Sequence, residues 1–206
     1  MLQERLIQTA IDQFGRFGFD GASTRAIARA SGTAMSSITY HFGGKEGLYL
    51  ACADYIAQKA TEQNAQGYAL MQQTADLDRS TAIEHCLAIL DGFALTMLHP
   101  DSEGWARFIV REQQAPTEAF ERLYGGMMKA PLEGFGRLLA IIRPDLPARE
   151  RRALVMLMFG QALILRAGRA SVCKALGVDS LGEREAKLLR SQLRANSLCI
   201  LNGGNA

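Results

Sequence analysis

The sequence predicts an all-α protein, and three observations support this fold class. Apolar residues recur at three- and four-residue spacing along most of the 206 residues, as on one face of a helix. No stretch shows the alternating pattern of a half-buried strand. Four of the five prolines fall where these helical patterns break, which suits residues without a backbone N–H.

Composition and charge exclude several classes of protein. Hydrophobic residues make up 48% and charged residues 21%, values typical of a folded globular chain. The net charge of +2 is too small for a protein that coats nucleic acid, so any DNA contact must come from a local surface. The polar N-terminus does not fit a signal peptide. The longest apolar run, residues 153–165, is shorter than the roughly 20 residues of a membrane span. We therefore expect a cytoplasmic protein without a membrane partner.

The residue types that carry chemistry are dispersed along the chain. We find no metal-spaced cluster, no phosphate-cradling glycine loop and no arrangement of a nucleophile beside a base. We therefore expect no metal, no cofactor and no enzymatic activity. Reduced thiols are the plain interpretation of the cysteines, with a redox-sensing cysteine as the alternative. The four cysteines are Cys52, Cys86, Cys173 and Cys199.

The N-terminal region contains three predicted helices before a longer fourth. The first spans about residues 3–17 and ends at Gly18. Ser23 and Thr24 offer a capping hydroxyl for a short helix over 25–30. Gly32 breaks that helix, a second short helix covers 35–42, and a long helix runs from Lys45 to about residue 66. Two short helices joined by a tight turn have the helix-turn-helix layout, which is compatible with DNA binding or with a structural helix pair.

Four segments of this region together resemble the TetR family of DNA-binding regulators in order and spacing. They are residues 21–28, 30–32, 38–42 and 45–48. The resemblance implies a helix-turn-helix DNA-binding domain over residues 1–47 and a larger helical ligand-sensing and dimerisation domain over 48–206. It also implies a set of residues that contact operator DNA. They are Thr24, Arg25, Met35, Ser36, Ser37, Thr39, Tyr40, His41 and Lys45.

These residue types suit contacts with DNA. Thr24 lies at a helix N-terminus and either caps the helix or contacts phosphate, and Arg25 can reach phosphate or a base edge. In the recognition helix, Met35 can touch a thymine methyl, and the following serines can donate to bases or phosphates. Tyr40 and His41 resemble the family's phosphate-contacting aromatic pair, and Lys45 would bind backbone phosphate.

Other interpretations of three of these residues stay open. His41 suits the negative end of a helix dipole, Lys45 can be a solvated charge, and Ser36 can be exposed without a role. Two positions also depart from the family pattern. Ala34 replaces the usual hydroxyl residue before the recognition helix, with Thr33 as a possible substitute cap, and Thr39 stands where tyrosine is common. Residues 1–47 hold five Lys/Arg and four Asp/Glu, which predicts a modest salt dependence of DNA binding.

The C-terminal part, at residues 98–107 and 111–120, resembles a TetR subfamily with a CerR-type C-terminal domain. In such proteins the last two long helices, here 148–175 and 183–200, form a four-helix dimer interface. Residues 153–165 are apolar on nearly every face, which fits a helix covered by a second subunit. Complete burial inside one subunit is the alternative.

We expect the effector pocket between the middle helices. Its candidate walls are aromatic and methionine side chains, which can equally be ordinary residues of the hydrophobic core. Arg111 and Glu112 can supply polar contacts to the effector or can form a structural ion pair. The candidates are His85, Trp105, Phe108, Arg111, Glu112, Phe120, Met127 and Phe159. The predicted function is a homodimeric repressor that a small molecule releases from a palindromic operator. Activation, and action through a protein partner, are the alternatives.

Overall fold

The computed structural model describes residues 2–73, 76–100 and 102–203, and every regular element in these ranges is helical. The prediction of an all-α fold is thereby confirmed. The helices, in chain order, are α1 Leu2–Gly21, α2 Thr24–Ala30, α3 Met35–Phe42, α4 Lys45–Gln63, α5 Ala65–Gln72, α6 Arg79–Leu98, α7 Ser102–Gln114, α8 Glu118–Leu123, a π-helical turn Tyr124–Met128, α9 Lys129–Ile142, α10 Ala148–Ala167, α11 Arg169–Leu176 and α12 Glu183–Leu201.

The chain divides into two compact units. The described residues of 1–62 and 101–128 form one, called here the N-terminal unit, and those of 63–100 and 129–206 form the C-terminal unit. The N-terminal unit thus contains α7 and α8 as well as α1–α4. The functional boundary after residue 47 stays a prediction.

One hydrophobic core holds the N-terminal unit together. Leu6 and Phe14 of α1 are fully buried, and they join Ile27 of α2, Ile38 of α3 and Phe108 of α7 in the same cluster. Each short helix therefore presents one or two apolar residues to the core and can leave its other side in solvent. Burial of this kind stabilises by about 1.5–3 kcal/mol per large side chain.

Helix α1 continues beyond its predicted end at Phe17. Gly18 interrupts it with a φ of 76° and a ψ of 176°, and a last turn then reaches Gly21. A residue with a Cβ strongly disfavours this conformation, so the glycine is required where the chain bends. The predicted stop therefore marks a real break inside a longer element.

The C-terminal unit has its own core between α6, α9 and α10. Cys86 and Leu90 of α6, Phe135 and Leu138 of α9 and Met158 of α10 are all buried in it.

One helix predicted in the C-terminal unit is wrong in its extent. The helix expected over 148–175 is two helices, α10 and α11, which meet at the non-helical Gly168 with a bend of 79°. Glycine has a low helix propensity, and here it ends α10 just after Arg166 in the last turn. The π-helical turn Tyr124–Met128 precedes α9, and Pro131 lies in the first turn of α9. Proline lacks the N–H that would bond to the preceding turn.

Helix α6 is long and apolar enough to cross a membrane by length and composition alone. The bent pair α10 and α11 passes the same test if it is counted as one span. Core helices of globular proteins share these properties. Seven residues of α6 are buried within the chain, so its apolar character is explained by packing.

Candidate nucleic-acid interface

Helices α2 and α3 form a helix-turn-helix around the turn that contains Gly32, whose φ is +65°. Ser23 caps α2, because its hydroxyl accepts a bond from the backbone N–H of Ala26 at 3.4 Å. Thr24 is the first residue of α2, and its side chain is half-buried. Since Ser23 is the cap, the Thr24 hydroxyl is left for the other predicted role, a phosphate contact.

The start of α3 shows the consequence of the alanine at position 34. Ala34 is the N-cap and makes no side-chain cap bond. Thr33 does not replace it, because its hydroxyl bonds to the Ser37 hydroxyl at 2.9 Å. Thr33 therefore orients Ser37, and the N-terminal amides of α3 receive no bond from an N-cap side chain.

The outer face of α3 carries most of the predicted DNA contacts. Tyr40 is 84% exposed and Met35 is 52% exposed, although both have large side chains, while Ile38 points inward at 1% exposure. The remaining exposed candidates are Arg25, Ser36, Thr39 and His41, and Ser37 is half-buried. A small helix with one core residue and an outer face of polar and aromatic side chains fits a major groove.

His41 is held by a residue of α1 that the sequence did not single out. The amide nitrogen of Gln3 lies 3.0 Å from His41 Nδ1. Because an amide NH₂ only donates, Nδ1 accepts, and a neutral imidazole then carries its proton on Nε2. The Nε2–H is the donor that remains for a phosphate oxygen.

Lys45 is the first residue of α4, and its amino group is engaged within the same unit. Lys45 Nζ donates to the Asp20 carbonyl at 3.3 Å and lies 4.8 Å from the centroid of the Phe19 ring. A phosphate contact would use the remaining donors of this ammonium group or would exchange these contacts for it.

The predicted pocket residues of the N-terminal unit pack against or hydrogen-bond to other residues of that unit. Phe108 is fully buried, and Glu112, with 2% exposure, is among the few buried charged residues. Arg111 and Glu112 have different partners: Arg111 donates to the carbonyls of Gly15 and Arg16, both at 2.8 Å, while Glu112 accepts from other residues. Three further candidates lie in the same unit, with Trp105 and Met127 against its core and Phe120 beside Tyr124 at 6.0 Å between ring centroids.

The two other pocket candidates lie in the C-terminal unit. Phe159 packs edge-on against Phe93 and Phe135, with 5.2 Å between ring centroids in each pair. His85 has a buried Nδ1 without a hydrogen-bond partner among the described residues.

A groove of about 850 Å³ lies between α6 and α12, and none of the predicted pocket residues lines it. Its wall contains the ion pair of Asp91 and Arg190, at 2.5 Å, and the buried Ser197.

Apolar side chains cover the outer face of α10. Leu157 is 70% exposed, and Met156, Leu163 and Ile164 are also exposed. These exposures overturn the interpretation that α10 is buried completely inside one subunit. Such a contiguous apolar face is typical of a surface that another chain covers.

The four cysteines differ in exposure: Cys52 and Cys86 are buried, Cys173 is half-buried and Cys199 is exposed. Burial raises the pKa of the Cys52 and Cys86 thiols well above the usual value, which disfavours the reactive thiolate. Within residues 2–73, 76–100 and 102–203, no three His, Cys, Asp or Glu side chains form a group that could hold a metal ion.

Sequence reasoning missed four residues that position others: Gln3, Thr33 as a partner of Ser37, Tyr49 and Thr117. Tyr49 donates to Glu112 at 2.5 Å, and Thr117 donates to the other oxygen of that carboxylate. Tyr49 and Glu112 are 63 positions apart, so no local pattern could have paired them.

The exposed recognition helix and its supporting turn define a helix-turn-helix DNA-binding protein. Comparison with known families agrees: residues 6–52 match the family described as bacterial regulatory proteins, tetR family, and residues 82–204 match the C-terminal domain of the HTH-type transcriptional dual regulator CecR. The chain therefore belongs to the TetR family, in the group defined by the CecR C-terminal domain, and is a ligand-responsive DNA-binding transcriptional regulator. The subfamily resemblance at the C-terminal part is confirmed under the name CecR.

Two relatives of similar sequence are also described as HTH-type transcriptional regulators. The chain is 29% identical over 206 residues to the HTH-type transcriptional dual regulator CecR of Shigella flexneri, covering 98% of this chain and 92% of CecR. It is 28% identical over 163 residues to the regulatory protein RaaS of Mycobacterium tuberculosis, covering 78% of this chain and 69% of RaaS.

Solved structures share the fold at low sequence identity. A Clostridium perfringens putative fatty acid metabolism regulator superimposes with a TM-score of 0.67 at 15% identity, covering 94% of this chain and 96% of that one. The Bacillus subtilis regulator FadR, solved in complex with stearoyl-CoA, superimposes with a TM-score of 0.63 at 16% identity, covering 98% and 99% of the two chains.

Proposed function

We propose that this chain is a homodimeric repressor that binds a palindromic operator through α3 and leaves it when a small molecule binds the C-terminal domain. The observation that carries the proposal is the outer face of α3, with Tyr40 84% exposed on a helix whose inner residue, Ile38, is buried. A side chain so large and so exposed contributes little to the fold, and its position suits a contact with phosphate.

The proposed operator contacts divide between backbone and bases. Phosphates are bound by the hydroxyls of Thr24 and Tyr40, by His41 Nε2–H and by Lys45. Bases are read by side chains near the N-terminus of α3, which enters the major groove. The proposed base-reading residues are Arg25, Met35, Ser36, Ser37 and Thr39.

The proposed dimer forms through α10 and α12. The outer face of α10 includes Leu157 and Ile164, and Gly160 lies between them with open space around its Cβ position. On α12, Leu188 and Leu198 are also exposed. A small residue between large apolar ones allows two helices to approach closely, and a two-fold dimer would place two recognition helices one turn of DNA, about 34–36 Å, apart.

The proposed effector is a small molecule that the protein binds without turnover. It must bind the form that leaves the operator more tightly than the form that holds it, since otherwise no population shift follows. The predicted pocket residues stay candidates for its contacts. DNA binding to a chromosomal operator also implies a cytoplasmic location for this protein.

Selection of duplexes from a randomised pool tests the operator proposal. We expect enrichment of a palindrome with two half-sites, read out by sequencing the DNA that the wild-type chain retains. A Tyr40→Ala/Lys45→Ala double variant is the matched control and should enrich nothing. Absence of enrichment by the wild type at low salt would contradict the proposal and favour action through a protein partner.

The selected duplex then serves to test release. A panel of small molecules is screened for those that raise the thermal midpoint of the free protein, and each hit is added at saturation to the protein–DNA complex. We expect at least one stabilising ligand to weaken operator binding about 5- to 150-fold, the usual range of coupling between sites. If every saturating ligand leaves the affinity unchanged, the release mechanism is wrong.

A further inference from the structure

Helix α7 contacts α1 and α4 through three of its side chains. Arg107 donates to Asp12 at 3.2 Å, and Arg111 donates to two carbonyls of α1 near the Gly18 break. Glu112 accepts from Tyr49 of α4 at 2.5 Å. Positions 107 and 111 are about one turn apart and share a face of α7, while Glu112 lies on the adjacent, buried side, so one element contacts both α1 and α4.

The backbones of α1 and α7 approach closely at the same place. A Cβ on Gly15 would lie 3.1 Å from Arg107 Cβ and 3.3 Å from the Gly104 carbonyl oxygen. There is little room for either helix to slide without losing these contacts. Helix α7 is therefore held firmly against α1. A contact from α7 to α4 can then fix the position of α4 relative to α1.

Glu112 is the polar centre of this support. Its carboxylate accepts from the Tyr49 hydroxyl, from the Thr117 backbone N–H at 3.0 Å and from the Thr117 hydroxyl at 2.9 Å. A buried charge is costly unless it is well hydrogen-bonded, and here three donors satisfy it. Burial, and then the bond to Glu112, raise the pKa of Tyr49, so the phenol keeps the proton that it donates.

Tyr49 connects this carboxylate to the recognition helix. Its ring lies 4.8 Å from Phe14, 5.2 Å from Phe19 and 4.7 Å from Phe108, measured between centroids. It stands in the second turn of α4, which follows α3 after only Gly43 and Gly44. A shift of Tyr49 would therefore move the start of α4 and, through this short connection, α3.

We propose that Glu112 is a positioning residue for operator binding, which acts through Tyr49 to fix the start of α4 and hence the recognition helix. A buried ion or polar pair adds little net stability compared with apolar packing, but it accepts only one geometry. The inference rests on the proposed operator binding and adds the residue pair that sets its geometry. It assigns Glu112 to the support of the DNA-binding helices.

The test compares operator affinity with folding in Tyr49→Phe, Glu112→Gln and the double variant. Each full-length variant is titrated with the selected duplex at a temperature where circular dichroism shows it to be fully folded. We expect each single change to weaken binding about 5- to 150-fold. The operator affinity of the double variant should be no more than about threefold below that of the single variant that binds less tightly, because both changes break the same interaction.

The control separates positioning from loss of stability. Leu138→Ala removes a fully buried side chain of the C-terminal unit and should lower the thermal midpoint without changing the affinity of the folded protein. In the free protein, Tyr49→Phe should also shift the amide resonances of residues 36–41, while Leu138→Ala should not. Operator affinities of the two single variants within twofold of wild type would overturn the inference. Failure of the wild type to select any duplex would instead overturn the proposed function.

Discussion

Helices α3 and α10 each have a buried side and an exposed side, but their exposed sides differ in chemistry. The outer face of α3 carries the Tyr40 ring, the Ser36 hydroxyl and the His41 imidazole. That of α10 carries Leu157, Ile164 and other apolar residues. Water solvates the first face well and the second poorly. The contrast indicates different partners: a polar, charged groove for α3 and a second apolar surface for α10.

The contrast also separates two sources of affinity. In the proposed complex, contacts from α3 would act within one half-site, while the α10 face would join the two chains that bind the two half-sites. Linking two binding modules raises overall affinity by a factor of about 10² to 10⁴ without a new DNA contact. Changes on α10 are therefore expected to have larger effects on operator binding than single changes on α3.

The largest expected effect comes from placing charge on the α10 face. A Leu157→Glu/Ile164→Glu variant should be monomeric, because a dimer would have to bury unpaired carboxylates in an apolar interface. We expect its operator affinity to fall about 10²- to 10⁴-fold. Sedimentation measures the first effect and a duplex titration the second. Val110→Glu introduces a single carboxylate at an exposed position on α7, outside the proposed interface, and should leave the dimer intact. A dimeric double variant would refute the assigned interface.

A second test sharpens the difference between the two sides of α3. Ile38→Ala should lower the free energy of unfolding by about 2–5 kcal/mol, because Ile38 is a fully buried core residue. Met35→Ala, on the exposed side, should change it by less than about 0.5 kcal/mol. Urea denaturation gives both values. Met35→Ala should instead alter base preference in a repeated duplex selection, and an unaltered preference would remove Met35 from the proposed contacts.

A smaller effect is expected for the hydroxyl of Tyr40. Tyr40→Phe keeps the ring and removes a donor to phosphate, so each half-site should lose about 0.5–1.5 kcal/mol, the usual net worth of one hydrogen bond. The free energy of unfolding should not change, since the side chain is 84% exposed. Titrations of the selected duplex and of an unrelated duplex should show similar losses, because phosphate contacts carry no sequence information. A loss confined to the selected duplex would assign Tyr40 to base reading.

The smallest expected effect concerns the orientation of Ser37. Thr33→Val removes the hydroxyl that bonds to Ser37 and keeps the branched shape. We expect a loss of operator affinity of about 0.5–1.5 kcal/mol, the usual net worth of one hydrogen bond. Thr33→Ser, which keeps the hydroxyl, is the control. Equal affinities of Thr33→Val and Thr33→Ser would mean that Ser37 needs no such support.

The sequence specified the DNA-binding region better than the remaining chain. The bounds of α3 were predicted at residues 35 and 42, because Gly43 ends the helix in a left-handed conformation with a φ of 74°. The break at Gly168 was missed, since one glycine within a long predicted helix gives only a weak local signal. The surroundings of Glu112 were not predictable either, because its partner Tyr49 is brought close only by the packing of α4 against α7.

The mass of the complex between wild-type protein and the selected duplex tests dimeric operator binding most directly. Sedimentation equilibrium is performed on that duplex and on one whose second half-site is scrambled. Dimeric operator binding predicts an even number of chains on the intact palindrome and much weaker binding to the scrambled duplex. A single chain bound to the intact palindrome, with an affinity that scrambling does not change, would contradict the dimeric operator-binding mechanism.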